Sequence, residues 1–272
     1  MCPHLPPLDQ PTRGKTARNR LRRVDIFISR HDPELIKRKV AGERLALYVD
    51  LGFGAEPSTT LESAGRLQQL NPDLVTLGVE IDPERVQAAL PHQTAQILFR
   101  QGGFEIPLRE GETIRLIRAF NVLRQYPVEK FLPAVERLVE QLIPGGLLIE
   151  GTSDPFGRVW CANLIRPAGH DSIRYEAIAF STSFRYGFDP AHLQPVLPKN
   201  LIHQMGSPTE IQAFFEAWKD AALKTISFNQ YGLRQWFVEA AQLLAESGYK
   251  LDLRKKMLKS GFLTWNHPPL EL

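Results

Sequence analysis

The chain has 272 residues, 43% of them hydrophobic and 23% charged, with a formal net charge of +3. These are the proportions of a soluble globular protein, one large domain or one domain with an elaborated lobe. No apolar run approaches the roughly 18 residues of a membrane span, and MCPHLPPLDQP has no apolar core for a secretory leader. Cys2 and Cys161 make no disulfide framework, so a cytoplasmic location is expected. The seven histidines are scattered and no His/Cys cluster has ligand spacing, so no metal site is expected.

The charge is unevenly placed. Residues 1 to 30 carry Arg13, Lys15, Arg18, Arg20, Arg22, Arg23 and Arg30 against Asp9 and Asp25, a net of +5 that leaves the rest of the chain near −2. The first dozen residues are proline-rich and expected to be loose. Arg13 to Arg23 lead into Val24, Ile26, Phe27 and Ile28, an apolar set that should dock on a core. The favoured reading of the cations is a solvated face on an N-terminal helix. The alternative is a patch for a phosphate-bearing partner such as RNA or a nucleotide-linked substrate. Aromatic residues among the charges would favour nucleic acid, and none precedes Phe27. Pro33 to Glu43 read as a short helix.

Leu45 to Thr60, LALYVDLGFGAEPSTT, is the stretch around which the rest of the chain is organised. Leu45 to Val49 is long enough for one buried strand and too short for a helix. Asp50 closes it, Gly52 and Gly54 bracket Phe53, and Pro57 opens a helix whose Leu61, Ala64, Leu67 and Leu70 share one face. Glycine carries no Cβ, so backbone in this turn can approach a ligand closely. Leu74 to Val79 is the next buried strand, ended by Glu80, and Asp82-Pro83 opens another helix. A carboxylate at that place can accept hydrogen bonds from both hydroxyls of a ribose. The dinucleotide fingerprint wants Gly or Ala where this chain has Pro57, and no phosphate-loop Lys-Ser or Lys-Thr is present.

The pattern Asp50-x-Gly52-x-Gly54, with Glu80 after the second strand, resembles the first motifs of the class I S-adenosylmethionine-dependent methyltransferases. The resemblance covers roughly Leu45 to Thr152. It implies that Asp50 anchors the methionine end of the cofactor, often through water. It also implies that Gly52, Phe53 and Gly54 let backbone pass beneath the cofactor, and that Glu80 holds the ribose. The family's third glycine is replaced here by Glu56.

Ala95 to Phe99 reads as a third strand, followed by Gly102-Gly103-Phe104. Where the resembled family often places an acid or amide against the adenine amino group, this chain has Gly103. Phe104 or Ile81 could pack on the adenine face; equally, Phe104 is plain core. Thr113 to Ala119 is a fourth strand ending in Phe120-Asn121-Val122-Leu123, beside the position of the transferred methyl in that family. Asn121 either touches cofactor or substrate or caps the following turn. The Asp/Asn-Pro-Pro-aromatic motif of amino-methylating nucleic-acid enzymes is absent. The chain also slightly resembles the tRNA guanine-N7 methyltransferases through Gly52-Phe53-Gly54 and Gly78-Val79-Glu80-Ile81, but lacks their Pro-Asp-Pro-Trp.

Val128 to Ile143 reads as an amphipathic helix ended by Pro144-Gly145-Gly146, and Leu147 to Glu150 as strand five. Ile173 to Phe184 can form strand six. Prolines 190, 195, 198 and 208 mark a long loop. Ser207-Pro208-Thr209-Glu210 caps a helix carrying Ile211, Phe214, Phe215, Trp218 and Ala222. A second helix runs from about Tyr231 to Glu246, and Phe262 to Trp265 is a last strand. Phe214, Trp218 and Trp236 read first as core between these helices and second as a substrate-binding surface.

The expected architecture is a doubly wound α/β fold. It has a mostly parallel seven-stranded sheet, an antiparallel last strand, helices on both faces and a helical insertion before the last strand. Residues 1–44 form a basic N-terminal segment, 45–186 the Rossmann-like cofactor-binding core, 187–258 the helical cover and 259–272 the last strand, all one folded unit. The expected function is methyl transfer from S-adenosylmethionine to an acceptor, a small molecule favoured over RNA. A sulfonium methyl is already activated, so the fold has to align a nucleophile and exclude water, and no catalytic residue need stand out. Asn121, Tyr126 and Asp154 are the candidates for the active end. The alternatives are a catalytically inactive nucleoside-cofactor binding protein, motivated by Glu56 and Gly103, and an NAD-dependent oxidoreductase, disfavoured by Pro57 and Asp50.

Overall fold

The computed structural model describes residues 17–38, 45–169 and 172–270. The N-terminal part supplies helices α1 (Arg22–His31) and α2 (Pro33–Lys37). Alternating elements succeed them: β1 (Leu45–Leu51), α3 (Ser58–Leu67), β2 (Thr76–Glu80), α4 (Pro83–Ala89), β3 (Ile97–Gln101), β4 (Glu112–Phe120), α5 (Phe131–Glu140) and β5 (Leu142–Ser153). Then come β6 (Val159–Pro167), β7 (Ile173–Thr182), helices α6 (Lys199–Ile202), α7 (Glu210–Lys224), α8 (Leu233–Glu246) and α9 (Lys255–Leu258), and β8 (Phe262–Asn266). Local chemistry sets the starts. Asp82 accepts from the Glu84 amide at 2.9 Å at the head of α4, and Thr209 caps α7 through the Gln212 amide at 3.4 Å.

The strands form one sheet in the order β3-β2-β1-β4-β5-β6-β7-β8. The first five are parallel and the last three run antiparallel as a meander. The doubly wound α/β class is as expected, with two differences. The sheet has eight strands rather than seven, because Asp154 turns the chain back directly after β5. Its Oδ1 accepts from the amides of Arg158 (2.6 Å) and Val159 (3.2 Å), and the segment beyond pairs with β5. Pro144-Gly145-Gly146 lie within β5 rather than ending a helix. The helix stops at Glu140, Leu142 already pairs with Ile114, and a register shift accommodates the glycines.

Three large apolar clusters, and a smaller one of Phe53, Val86, Ala89 and Phe99, hold the layers together. On one face α5 packs on Leu47, Val49, Ile117, Ala119 and Leu148. On the other, α1, α2, α3 and α9 cover Tyr48, Leu116, Ile149 and Trp160. Further along the sheet α7 and α8 pack on Cys161, Ile178, Phe180, Leu263 and Trp265. Phe214 and Trp218 are fully buried, with Phe214 stacked on Trp265 at 4.4 Å and on Phe180 at 5.2 Å. The aromatic stripe is therefore core, each such ring contributing about 1.5–3 kcal/mol by leaving water. Trp236 is half-buried and donates to the Ala222 carbonyl at 2.8 Å, clamping α8 to α7. Among the described residues no helix is long and apolar enough to cross a membrane.

Candidate cofactor site

The strand order reverses at β1, which lies between β2 and β4. Open parallel sheets bind ligands at such a point, in the crevice outside the carboxyl ends of the strands. The glycine turn sits there. Gly52 and Gly54 take φ of 70° and 85°, the left-handed region closed to most side chains. The Gly52 amide donates to Val79 O at 2.7 Å, fastening the turn to β2. Glu80 ends β2 beneath the turn. Its Oε2 accepts from the Gly54 amide at 2.9 Å and its Oε1 from the Ile81 amide at 3.0 Å. The carboxylate is 1% exposed, with Arg85 at 3.8 Å. Gly52, Gly54, Glu80 and Ile81 are thus brought together.

Asp50 stands behind the turn and is consumed by the protein. Oδ2 accepts from the hydroxyls of Thr59 (3.1 Å) and Thr60 (2.8 Å) at the head of α3, and Oδ1 from Arg118 Nε at 3.0 Å. Arg118, fully buried on β4 opposite Asp50, also pairs through Nη1 with Asp25 of α1. Asp25 takes further donors from Ser63 Oγ and Arg66 Nη1, both at 2.7 Å. Burial works against the Arg118 charge, but Asp50 and Asp25 hold its guanidinium above its ordinary value. Burial pushes the Asp25 carboxyl up despite the opposing Arg118. Two carboxylates and two guanidiniums thus close a buried network that rivets α1, α3, β1 and β4 together. Arg118 and Asp25 were not singled out in the sequence, although two arginines inside the run Thr113–Phe120 were a signal that buried acceptors must exist. Arg115 finds the carbonyls of Ala46, Leu35, Ile36 and Arg38, and Arg118 finds carboxylates.

The remaining candidates fall into two groups. The Phe53 ring is buried with Val86, Ala89 and Phe99, edge-on to Phe99 at 5.4 Å. Phe104 is buried beside Tyr126, rings 5.2 Å apart, in the cluster under α5. Both side chains are core. Asn121 adopts φ 61° at the end of β4, accepts from the Ser153 amide at 3.1 Å and approaches Ser153 Oγ at 3.4 Å. It therefore ties β4 to β5 through side chain as well as backbone.

The N-terminal cations are less solvated than expected. Arg13 and Lys15 lie outside the described residues. Arg20 donates to Ser153 Oγ and to the carbonyls of Ser153 and Asp154, each at 3.0 Å. Arg23 lies 4.7 Å over the Phe262 ring and donates to Ser181 Oγ at 2.9 Å and Ser260 O at 2.8 Å. Burial, then the neighbouring Arg234 and Arg30, pull Arg23 down to about 10. Of the described cations in this segment, Arg18 and Arg22 are exposed. The segment is a strap across the carboxyl ends of the strands, because long cationic stems cover apolar surface while their heads find carbonyls.

No family model matches this chain, and no curated protein does. Among solved structures, it is similar to LepI in complex with SAM (18% identity, TM-score 0.35, covering 44% of this chain and 30% of that one). It is similar to the CMeT domain of the citrinin polyketide synthase (17%, 0.38, 50% and 36%). Human N-acetylserotonin methyltransferase in complex with SAM is a third (26%, 0.31, 51% and 39%). Each likeness spans less than two thirds of the other protein's length, and at these TM-scores none bears on this chain's activity. The fold and the site rest on the chain's own geometry.

Proposed function

We propose that this chain is a cytoplasmic class I S-adenosylmethionine-dependent methyltransferase with a small-molecule acceptor. The observation that carries the reading is Glu80 fixed beneath a left-handed glycine turn at the reversal of a 3-2-1-4-5 parallel sheet. The residues present fit the cofactor. A turn without Cβ atoms at Gly52 and Gly54 admits it close to the backbone, and a carboxylate oxygen accepts more than one hydrogen bond, so a ribose hydroxyl shares Glu80 with the Gly54 amide. Ile81, half-buried at the end of β2, offers its side chain to the adenine. Phe53 contributes as apolar packing within the turn, and Phe104 as core under α5. Asp50 contributes indirectly: with both oxygens held by Thr59, Thr60 and Arg118, it sets the start of α3 and hence the shape of the turn.

The cofactor supplies a methyl group on sulfur that an acceptor can displace directly. The chain's part is to align the acceptor and exclude water. Asn121 and Ser153 stand where β4 and β5 end, residues 45–186 carry the cofactor, and 187–258 cover the acceptor side. The closed state of Asp50 favours a second reading, a cofactor-binding protein without transfer. Calorimetric titration with S-adenosylmethionine, S-adenosylhomocysteine and NAD, on wild type, Glu80→Gln and Asp50→Asn, tests both. Binding of the first two, weakened by about tenfold or more in Glu80→Gln, is expected. Selective binding of NAD, or no binding, sinks the methyltransferase reading; cofactor binding with no acceptor methylated across a panel leaves the second.

A further inference from the structure

We propose that the hairpin 154–158 and the facing segment 183–188 form the acceptor subsite, and that it takes a planar aromatic anion; this rests on the methyltransferase reading above. The antiparallel turn after β5 brings the start of β6 and the end of β7 to the same edge of the sheet as the glycine turn, with Val159 opposite Thr182. Two aromatic rings stand exposed there, Phe156 at 61% and Tyr186 at 43%. Between them lies Arg158, its guanidinium carbon 4.8 Å from the Phe156 ring centre and 5.2 Å from that of Tyr186.

The sandwich is anchored rather than adventitious. Asp154 Oδ1 accepts from the Arg158 and Val159 amides, and Asp154 Oδ2 from the Tyr186 hydroxyl at 3.2 Å. Arg158 Nη1 donates to the same phenol oxygen at 3.2 Å. Among the described residues this guanidinium meets two ring faces and a neutral oxygen, not a carboxylate. A planar cation held between rings keeps its N–H edge for an anion, while the exposed ring faces take a flat apolar body.

A row of contacts links the platform to the end of β4, the strand next to β1 in the sheet. Asn121 at the end of β4 meets Ser153, Ser153 meets Arg20, Arg20 meets Asp154, and Asp154 meets Tyr186. The row crosses from the strand beside the reversal point to the platform over one edge of the sheet. Arg20 adds a second cation along it, and Arg185 is exposed beside Tyr186. The site has one sandwiched guanidinium and two rings, which fits a single flat anion.

The test uses 2-naphthoate as the probe, against 2-naphthamide (flat, neutral) and cyclohexanecarboxylate (charged, not flat), titrated calorimetrically without cofactor. Naphthoate is expected to bind about tenfold or more tighter than either control. Arg158→Gln should abolish the preference over the amide, Phe156→Ala should weaken both aromatic probes, and Tyr186→Phe should retain the stacking. Phe156 and Tyr186 are exposed, so these variants should keep the wild-type circular dichroism spectrum. Equal binding of naphthoate and naphthamide, wild-type behaviour of Arg158→Gln, or retention of a single-stranded RNA decamer with no affinity for naphthoate overturns the proposal. A parallel titration with S-adenosylmethionine separates the two readings: loss of cofactor binding with naphthoate binding intact fails the methyltransferase reading alone.

Discussion

Glu150 offers the sharpest physical test of the packing. It sits mid-sheet on β5, fully buried, with Oε2 accepting from Asn163 Nδ2 at 2.9 Å and Oε1 without a partner among the described residues. Asn163 in turn accepts from Tyr175 at 2.5 Å and donates to Asn200 at 3.1 Å, and among the described residues no cation joins this set. Burial drives the carboxyl from 4.5 up to about 8, with the Asn163 bond opposing only weakly. Glu150 is therefore mostly a neutral acid at pH 7. The sign comes from proton binding: between 4.5 and about 8 the folded state holds a proton that the unfolded chain releases, so stability falls as pH rises through this window. At about 1.4 kcal/mol per pH unit the loss reaches at most roughly 5 kcal/mol by pH 8. Glu150→Gln keeps the shape and the acceptor but cannot ionise. Urea unfolding at half-unit steps from pH 5 to 9 should give a falling curve for wild type and a much flatter one for the variant, the two diverging by several kcal/mol at the alkaline end. Parallel curves would refute the reasoning, because they would mean that Glu150 ionises inside the protein as easily as outside it.

Arg118→Leu leaves Asp50 and Asp25 buried without their shared cation and should cost about 3–5 kcal/mol in denaturant unfolding; a loss under about 1 kcal/mol would mean the network is not closed in solution. Gly157→Ala should lift the N-terminal strap. Gly157 has φ 64° and its added Cβ would fall 1.6 Å from Arg20 O, so trypsin should cut after Arg20 or Arg22 faster than in wild type. At the acid end, burial opposes but His31 and Arg166 prevail and hold Glu176 down at about 2. Its contribution is complete above about 4.5 and lost as pH falls toward 2, so Glu176→Gln should remove part of the acid limb of the stability curve.

Local chemistry made much of this protein readable from its chain. Apolar runs four to seven residues long, punctuated by Asp50-x-Gly52-x-Gly54 and by Glu80, are enough to order the parallel strands, because backbone needs at such turns depend on neighbours in sequence. The cap Asp82 and the aromatic face of α7 were legible for the same reason, whereas the cap of α7 is Thr209, two residues beyond the Ser207 that the Ser207–Glu210 pattern names. What stayed hidden were the partners. Asp50 reads like a ligand anchor until Arg118 and Asp25, 68 residues further along and 25 residues back, are folded against it. Glu150 looks like the end of a strand until β6 pairs alongside and closes it in. Phe156, Arg158 and Tyr186 are inconspicuous in separate stretches of chain, and the N-terminal cations have no aromatic neighbours in sequence. Only the turn back of β6 and β7 to the edge that carries the glycine turn sets them side by side. Sequence determined most of the elements, since helix, strand and turn are decided over a few residues; β6 and the start of β5 were settled only by pairing with neighbouring strands. Tertiary structure decided which charges are neutralised and which stay available, since that depends on contacts between residues far apart in the chain.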